Sequence, residues 1–148
     1  MIPAHHAAYV IDASVLVKWF LFENEPNREG ALDLRDRHIA GRSTIIIPDF
    51  ALLEVLNAIR FSPKGDEEDG ETALEALHDL HLDVRLANVD VLRKANAIAW
   101  AYKITIYDAL YVGLAEQVGY PLITADDVMV KKLKGHSIVV SLRELEIK

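Results

Sequence analysis

Residues 105–127 read TIYDALYVGLAEQVGYPLITADD. Thr105 to Gly119 has helical length and periodicity, and Gly119 is a natural stop. Pro121 to Thr124 follows as a short apolar run of strand type, closed by Asp126 and Asp127. A helix that hands over at once to a buried strand implies alternating α and β elements. Two acids interrupt the stretch, Asp108 near the helix start and Asp126 at the strand end. Burying a carboxylate is costly unless it is paired or holds a cation, so both positions call for an explanation.

The alternation extends in both directions. Tyr9-Val10-Ile11 is β-prone and ends at Asp12. Ser14 to Phe22 has helical spacing, with Val15, Trp19 and Phe22 on one stripe. Asn27 to Ile39 reads as a second helix, stopped by Gly41. Thr44 to Ile47 is a continuous β-branched run, the mark of a strand buried on both faces. Phe50 to Arg60 is helical, Ser62 to Asp66 a loop, and Glu71 to His81 a helix. The acidic stretch Asp66 to Glu71 reads as a solvated loop and cap. Val84 to Val89 is a weaker strand, Asp90 to Tyr102 a helix, Asp127 to Leu133 a short helix and Ile138 to Val140 a last strand. Strands alternating with helices in this way predict a parallel sheet covered on both sides.

The chain has 148 residues, 51% of them hydrophobic, enough for one domain with its own core. A single domain over 1–148 is expected, with residues 1–8 as a frayed terminus. There is no Cys, which excludes disulfides, thiolate zinc sites and cysteine nucleophiles. The N-terminus has no basic start of a secretory signal, and no apolar run approaches a membrane span. A soluble, cytoplasmic protein without membrane contact is therefore expected. The formal net charge of -7 argues against a simple basic nucleic-acid binder, although acids converging on divalent cations invert the local field.

In open parallel sheets, ligands bind beyond the carboxyl ends of the strands. Asp12 and Asp126 each follow a strand, so both can face one crevice. Glu54 interrupts an apolar helix in FALLEVLNAIR, with small or polar neighbours one turn away. Asp108 follows Thr105 in a Thr-x-x-Asp capping pattern, on an inward stripe with Tyr111, Val112 and Ala115. Each acid also has a plainer reading: Asp12, Asp108 and Asp126 as helix caps or capping partners. Clustered carboxylates repel one another unless a cation neutralises them. An oxygen-only donor set suits Mg²⁺ or Mn²⁺, and such an ion suits metal-assisted phosphodiester hydrolysis.

The blocks VIDASVLVKWF, IPDFALLEVLNAI, TIYDALYVGLAE and LITADD resemble the four motif blocks of PIN-domain ribonucleases of the VapC-like toxin branch, from about Tyr9 to about Val140. The resemblance implies a three-layer α/β/α fold with a parallel sheet of order 3-2-1-4-5. It implies a Mg²⁺- or Mn²⁺-dependent endoribonuclease, the toxin of a type II toxin–antitoxin pair, commonly a homodimer and inhibited by a cognate antitoxin. The family's four acids fall on Asp12, Glu54, Asp108 and Asp126, with Asp12 and Asp108 matching the pair most directly assigned to metal. Thr105 matches a hydroxyl position that supports the site. Asp127 matches nothing fixed, but as the second of a doubled acid it can substitute for or assist Asp126. The rival reading is a PIN-fold protein that binds a partner or RNA and cleaves nothing. The filled acid positions argue against it. A phosphate-accepting Asp12 lacks its usual second acid, and a signalling receiver domain lacks its paired acids and lysine.

Lys18, Arg60, Lys131, Lys132 and Lys134 are the candidates for gripping an RNA backbone. His78 and His81 lie one helical turn apart, but an exposed helix end explains them better than a metal site. His5-His6 falls in the expected frayed terminus. Trp19 and Trp100 read as core rather than as base-stacking platforms.

Overall fold

A computed structural model describes residues 6–21 and 25–145. Its centre is a five-stranded parallel sheet built from β1 (Ala7–Ile11), β2 (Ser43–Pro48), β3 (Asp83–Arg85), β4 (Leu122–Thr124) and β5 (Val139–Ser141), in the order β3-β2-β1-β4-β5. The predicted order 3-2-1-4-5 is therefore observed. In register, Val10 lies beside Ile46 on one side and Leu122 on the other. Ile45, Ile46 and Ile47 are all fully buried, which requires apolar cover on both faces of the sheet and makes the molecule a three-layer α/β/α sandwich.

The helices are α1 (Ala13–Leu16), α2 (Arg28–Ile39), α3 (Phe50–Arg60), α4 (Glu67–Asp79), α5 (Val89–Tyr102), α6 (Ile106–Val118) and α7 (Asp127–Lys132). The central one is α6, whose seven consecutive residues from Ala109 to Ala115 are buried and which packs against β1, β2 and β4. Its closest helical neighbour is α5. Gly113 permits the approach, because a Cβ there would lie 3.1 Å from the Ala95 nitrogen and 3.2 Å from the Val91 oxygen. At the end of α6, Gly119 adopts φ 75° and lets the chain turn straight into β4.

Several boundaries differ from the sequence reading, each for a local reason. β1 begins at Ala7, pairs Ala7 and Ala8 with Ser43 and Thr44 of β2, and His6 bonds Thr44 at 3.0 Å, so residues 7–8 belong to the sheet's central strand; residues 1–5, His5 included, lie outside the described residues. The helix expected over Ser14 to Phe22 is the short α1 followed by a 3₁₀ turn over Val17–Trp19. It need not continue, because Arg28 Nε donates to the Lys18 carbonyl at 2.9 Å and satisfies an end group that a longer helix would have used. Phe22 lies outside the described residues. α4 starts at Glu67, four residues before Glu71, because Asp66 and Asp69 form a reciprocal capping box. The strand expected over Val84 to Val89 ends at Arg85, since the Asn88 side chain accepts from Val91 N at 3.0 Å and starts α5. Trp19 is core, with Nε1 donating to the Ala31 carbonyl at 2.9 Å. Trp100 is not: it is 81% exposed, because the buried stripe of α5 runs through Val91, Ala95, Ile98 and Ala99. Among the described residues no helix is long and apolar enough to cross a membrane.

Candidate metal centre

The sheet order reverses direction between β1 and β4, which opens a crevice at their carboxyl ends. Asp12 follows β1 there and is only 5% exposed. It sits at the N-cap position of α1, yet its side chain makes no capping bond. Its two oxygens are held by hydroxyls instead. Ser14 Oγ donates to Oδ1 at 2.5 Å and Thr124 Oγ1 donates to Oδ2 at 2.5 Å. Each hydroxyl is fixed in turn by the β4–α7 connection: Ala125 N donates to Ser14 Oγ at 2.9 Å and Asp126 N to Thr124 Oγ1 at 3.1 Å. The plain capping reading of Asp12 therefore fails, and the carboxylate is clamped between two strands' ends.

Asp126 is half-buried and does cap α7. Both bonds, from Val128 N at 3.0 Å and Met129 N at 3.1 Å, end on Oδ1. Asp127 is exposed and paired with Arg143. From α6, Thr105 caps the helix by accepting from Asp108 N at 3.1 Å, which sets Asp108 in the first turn. From α3, Glu54 Oε1 accepts from the buried Tyr111 hydroxyl at 2.6 Å.

These acids feel one another. Burial, first of all, lifts Asp12 from 3.8 to about 6; the Ser14 and Thr124 hydroxyls oppose the rise, and the charges of Asp126 and Glu54 add to it. Burial also raises Glu54, against the Tyr111 hydrogen bond and with help from Asp108. Asp108 is raised by burial and by Asp126, and held back by Thr105 and Lys132. The repulsions close a ring: Asp12 with Glu54, Glu54 with Asp108, Asp108 with Asp126, Asp126 with Asp12. Tyr111 is pushed far above its ordinary value by burial and by Glu54, and so stays a donor. Among the described residues no three carboxylate or imidazole groups converge tightly enough to ligate one ion as they are placed. The crevice gathers the four acids into mutual influence and stops short of a closed cage.

The basic candidates separate. Lys18 is buried and consumed by Glu25 Oε2 at 2.9 Å and the Pro26 carbonyl at 2.7 Å, so it is not a phosphate contact. Arg60 lies six residues beyond Glu54, about 9 Å further along the helix axis, with its guanidinium over the Phe61 ring. Lys132 acts on Asp108, favouring its charged form. Lys131 and Lys134 are exposed. His78 and His81 stand 6.4 Å apart between ring centres and belong to no metal cluster among the described residues. The sequence reading missed Ser14, Thr124 and Tyr111 as supports. Their signals were present: Ser14 two residues after Asp12, Thr124 two before Asp126, and a phenol on the inward stripe of α6, where a buried hydroxyl needs a partner.

Comparison with known proteins follows the same outline. The PIN domain family matches residues 9–134. "Ribonuclease VapC3" of Pyrobaculum aerophilum is 30% identical over 127 residues, covering 83% of this chain and 92% of the relative. Among solved structures, a "Toxin-antitoxin complex from Klebsiella pneumoniae" superposes with TM-score 0.67 at 18% identity, covering 93% of this chain and 99% of the other. PAE2754 from Pyrobaculum aerophilum gives TM-score 0.64 at 23% identity, covering 95% and 93%. At these identities the two structures attest the fold.

Proposed function

Because the chain belongs to the PIN domain family, we propose that it is a divalent-metal-dependent endoribonuclease, the toxin of a type II toxin–antitoxin pair. The observation that carries the reading is the closed ring of repulsion among Asp12, Glu54, Asp108 and Asp126 at the carboxyl ends of β1 and β4. Four oxygen donors, of which Asp12, Glu54 and Asp108 are each raised by burial and by a neighbouring acid, fit Mg²⁺ or Mn²⁺, and the lack of any Cys fits a hard ion. Asp12 and Asp108 would hold the ion, with Glu54 beside them and Asp126 completing the set.

When bound, such an ion stabilises the charge that builds on the phosphate and makes an attacking water more acidic. The protein's own groups supply position. Ser14 and Thr124 fix both Asp12 oxygens and so hold the carboxylate in place. Tyr111 locks Glu54, and Thr105 caps the first turn of α6, which carries Asp108. Lys132, whose charge acts on Asp108, is the leading candidate to meet the phosphate of an approaching strand, with Lys131 and Lys134 as further candidates. A cognate antitoxin, a homodimeric state and a cytoplasmic location belong to the same reading. In support, the curated relative carries a ribonuclease name, and two solved relatives are described as VapBC complexes on DNA, from Salmonella typhimurium and Rickettsia felis.

The test uses the purified chain and a panel of labelled RNAs. Cleavage is expected with Mn²⁺, none with EDTA, and a loss of at least about a hundredfold in Asp108→Asn with the fold retained. Wild-type cleavage by the pure variant overturns the mechanism. RNA binding without Mn²⁺-dependent cleavage by the wild type leaves a binder rather than an enzyme.

A further inference from the structure

Helices α3 and α6 are joined by two rungs one helical turn apart. The inner rung is the hydrogen bond from Tyr111 to Glu54. The outer rung is a ring stack: Phe50 and Tyr107 lie 5.1 Å apart between centroids at an interplanar angle of 14°. Phe50 precedes Glu54 by four residues and Tyr107 precedes Tyr111 by four, so both rungs lie on the same pair of facing helix stripes. The separation along the helices is one turn, about 5.4 Å. Tyr107 also immediately precedes Asp108 in the chain.

Tyr107 is 61% exposed. Among the described residues its ring contact is Phe50, and no hydrogen bond of its hydroxyl is found. A large aromatic held in an ordered stack, with most of its surface facing solvent at the rim of the acidic crevice, has no evident task in the core. Phe50 is half-buried and backs it from one side. We propose that Tyr107, braced by Phe50, is a stacking platform for an unpaired nucleobase of the RNA, next to the phosphate that the acids address. The proposal rests on the nuclease reading and adds to it a contact that favours single-stranded or extruded bases.

The chemistry favours a base over other occupants. Every nucleobase has a π-face, so stacking holds it without any hydrogen-bond code. A chain of net charge -7 gains little long-range attraction for RNA, and short-range stacking is the term that can offset that deficit. One helical turn from the carboxylates is also within reach of a base attached to a phosphate at the crevice. Single-stranded segments are where proteins most readily stack RNA bases on aromatic side chains.

The experiment measures kcat/KM in Mn²⁺ for a fluorescein-labelled single-stranded RNA oligonucleotide that the wild type cleaves. Tyr107→Ala should lose roughly tenfold to a hundredfold, the range of one base–aromatic stack. Tyr107→Phe and Tyr107→Trp should keep near wild-type values, and a thermal melt should show all three folded. Abasic substitutions are then walked through the oligonucleotide. One position should cost the wild type the same factor and cost Tyr107→Ala nothing more. Equal losses in Tyr107→Phe and Tyr107→Ala, or a wild-type kcat/KM in Tyr107→Ala, overturn the platform while leaving the nuclease intact. If the wild type cleaves no RNA in Mn²⁺, the nuclease reading fails and the platform falls with it.

Discussion

Replacing Asp12 by Asn should make the metal-free protein more stable at neutral pH. The carboxyl rises from 3.8 in an unfolded chain to about 6 in the fold, which at 1.36 kcal/mol per tenfold in proton affinity is about 3 kcal/mol. The sign follows from linkage. Below about pH 3.8 the group is protonated in both states and costs nothing. As pH rises from about 4 to 6 the unfolded chain releases the proton first and stability falls. Above about pH 6 the full penalty of about 3 kcal/mol is in place. Asp12 is only 5% exposed, so solvent screening takes little from this figure. Asn removes the charge, and the opposing Ser14 and Thr124 bonds are already counted in the raised value, so the gain at pH 7 is on the order of 3 kcal/mol, a rise of roughly 6–12 °C in Tm for a domain of this size. Urea melts of both proteins in EDTA, stepped from about pH 4 to pH 7, read it directly. The other acids are shared, so the difference reads residue 12 together with its repulsion of Asp126 and Glu54. The variant's advantage should vanish or reverse near pH 4. Added Mn²⁺ should stabilise the wild type and leave Asp12→Asn unmoved. A stability difference that stays flat across that pH range would mean that the Asp12 carboxyl is not held as described.

Two other perturbations probe the frame around the acids. Tyr111→Phe removes the donor to Glu54 at 2.6 Å, so Glu54 should bind its proton more tightly; the acid limb of the Mn²⁺-dependent cleavage profile should move to higher pH, and an unchanged limb rules the contact out as a control on Glu54. Gly113→Ala places a methyl 3.1–3.2 Å from α5 backbone atoms; the overpacked helix pair should lose about 1–3 kcal/mol in a denaturant melt, and an unaltered midpoint would show that α5 can shift at no cost.

Much of the fold was legible because it rests on periodicity. The β-branched run at Ile45 to Ile47 could only be satisfied by cover on two faces, and it has that cover. Helix starts were harder to read, since Asp66, in its reciprocal box with Asp69, and Asn88 act through side-chain-to-backbone bonds that a hydrophobic pattern does not register. The acids stood out individually, because carboxylates in apolar runs are costly. Their supports did not: the Thr124 hydroxyl reaches Asp12 across 112 residues of sequence and Tyr111 reaches Glu54 across 57. Trp100 and Lys18 were misread for more local reasons. Trp100 misses the buried stripe by one helical step, and Lys18 is claimed by Glu25 and a carbonyl that only a fold over α1 brings near.

By itself the sequence determined the alternation of elements, the parallel sheet and which carboxylates follow strands or interrupt helices, since these depend on local spacing and on the cost of burying charge. Only the tertiary structure decided which hydroxyls clamp Asp12, which lysine stays near the acids and how strongly the carboxylates repel one another. Those outcomes depend on distances between segments far apart in the chain, and Coulomb energies and hydrogen bonds are set by distance through space rather than along the backbone.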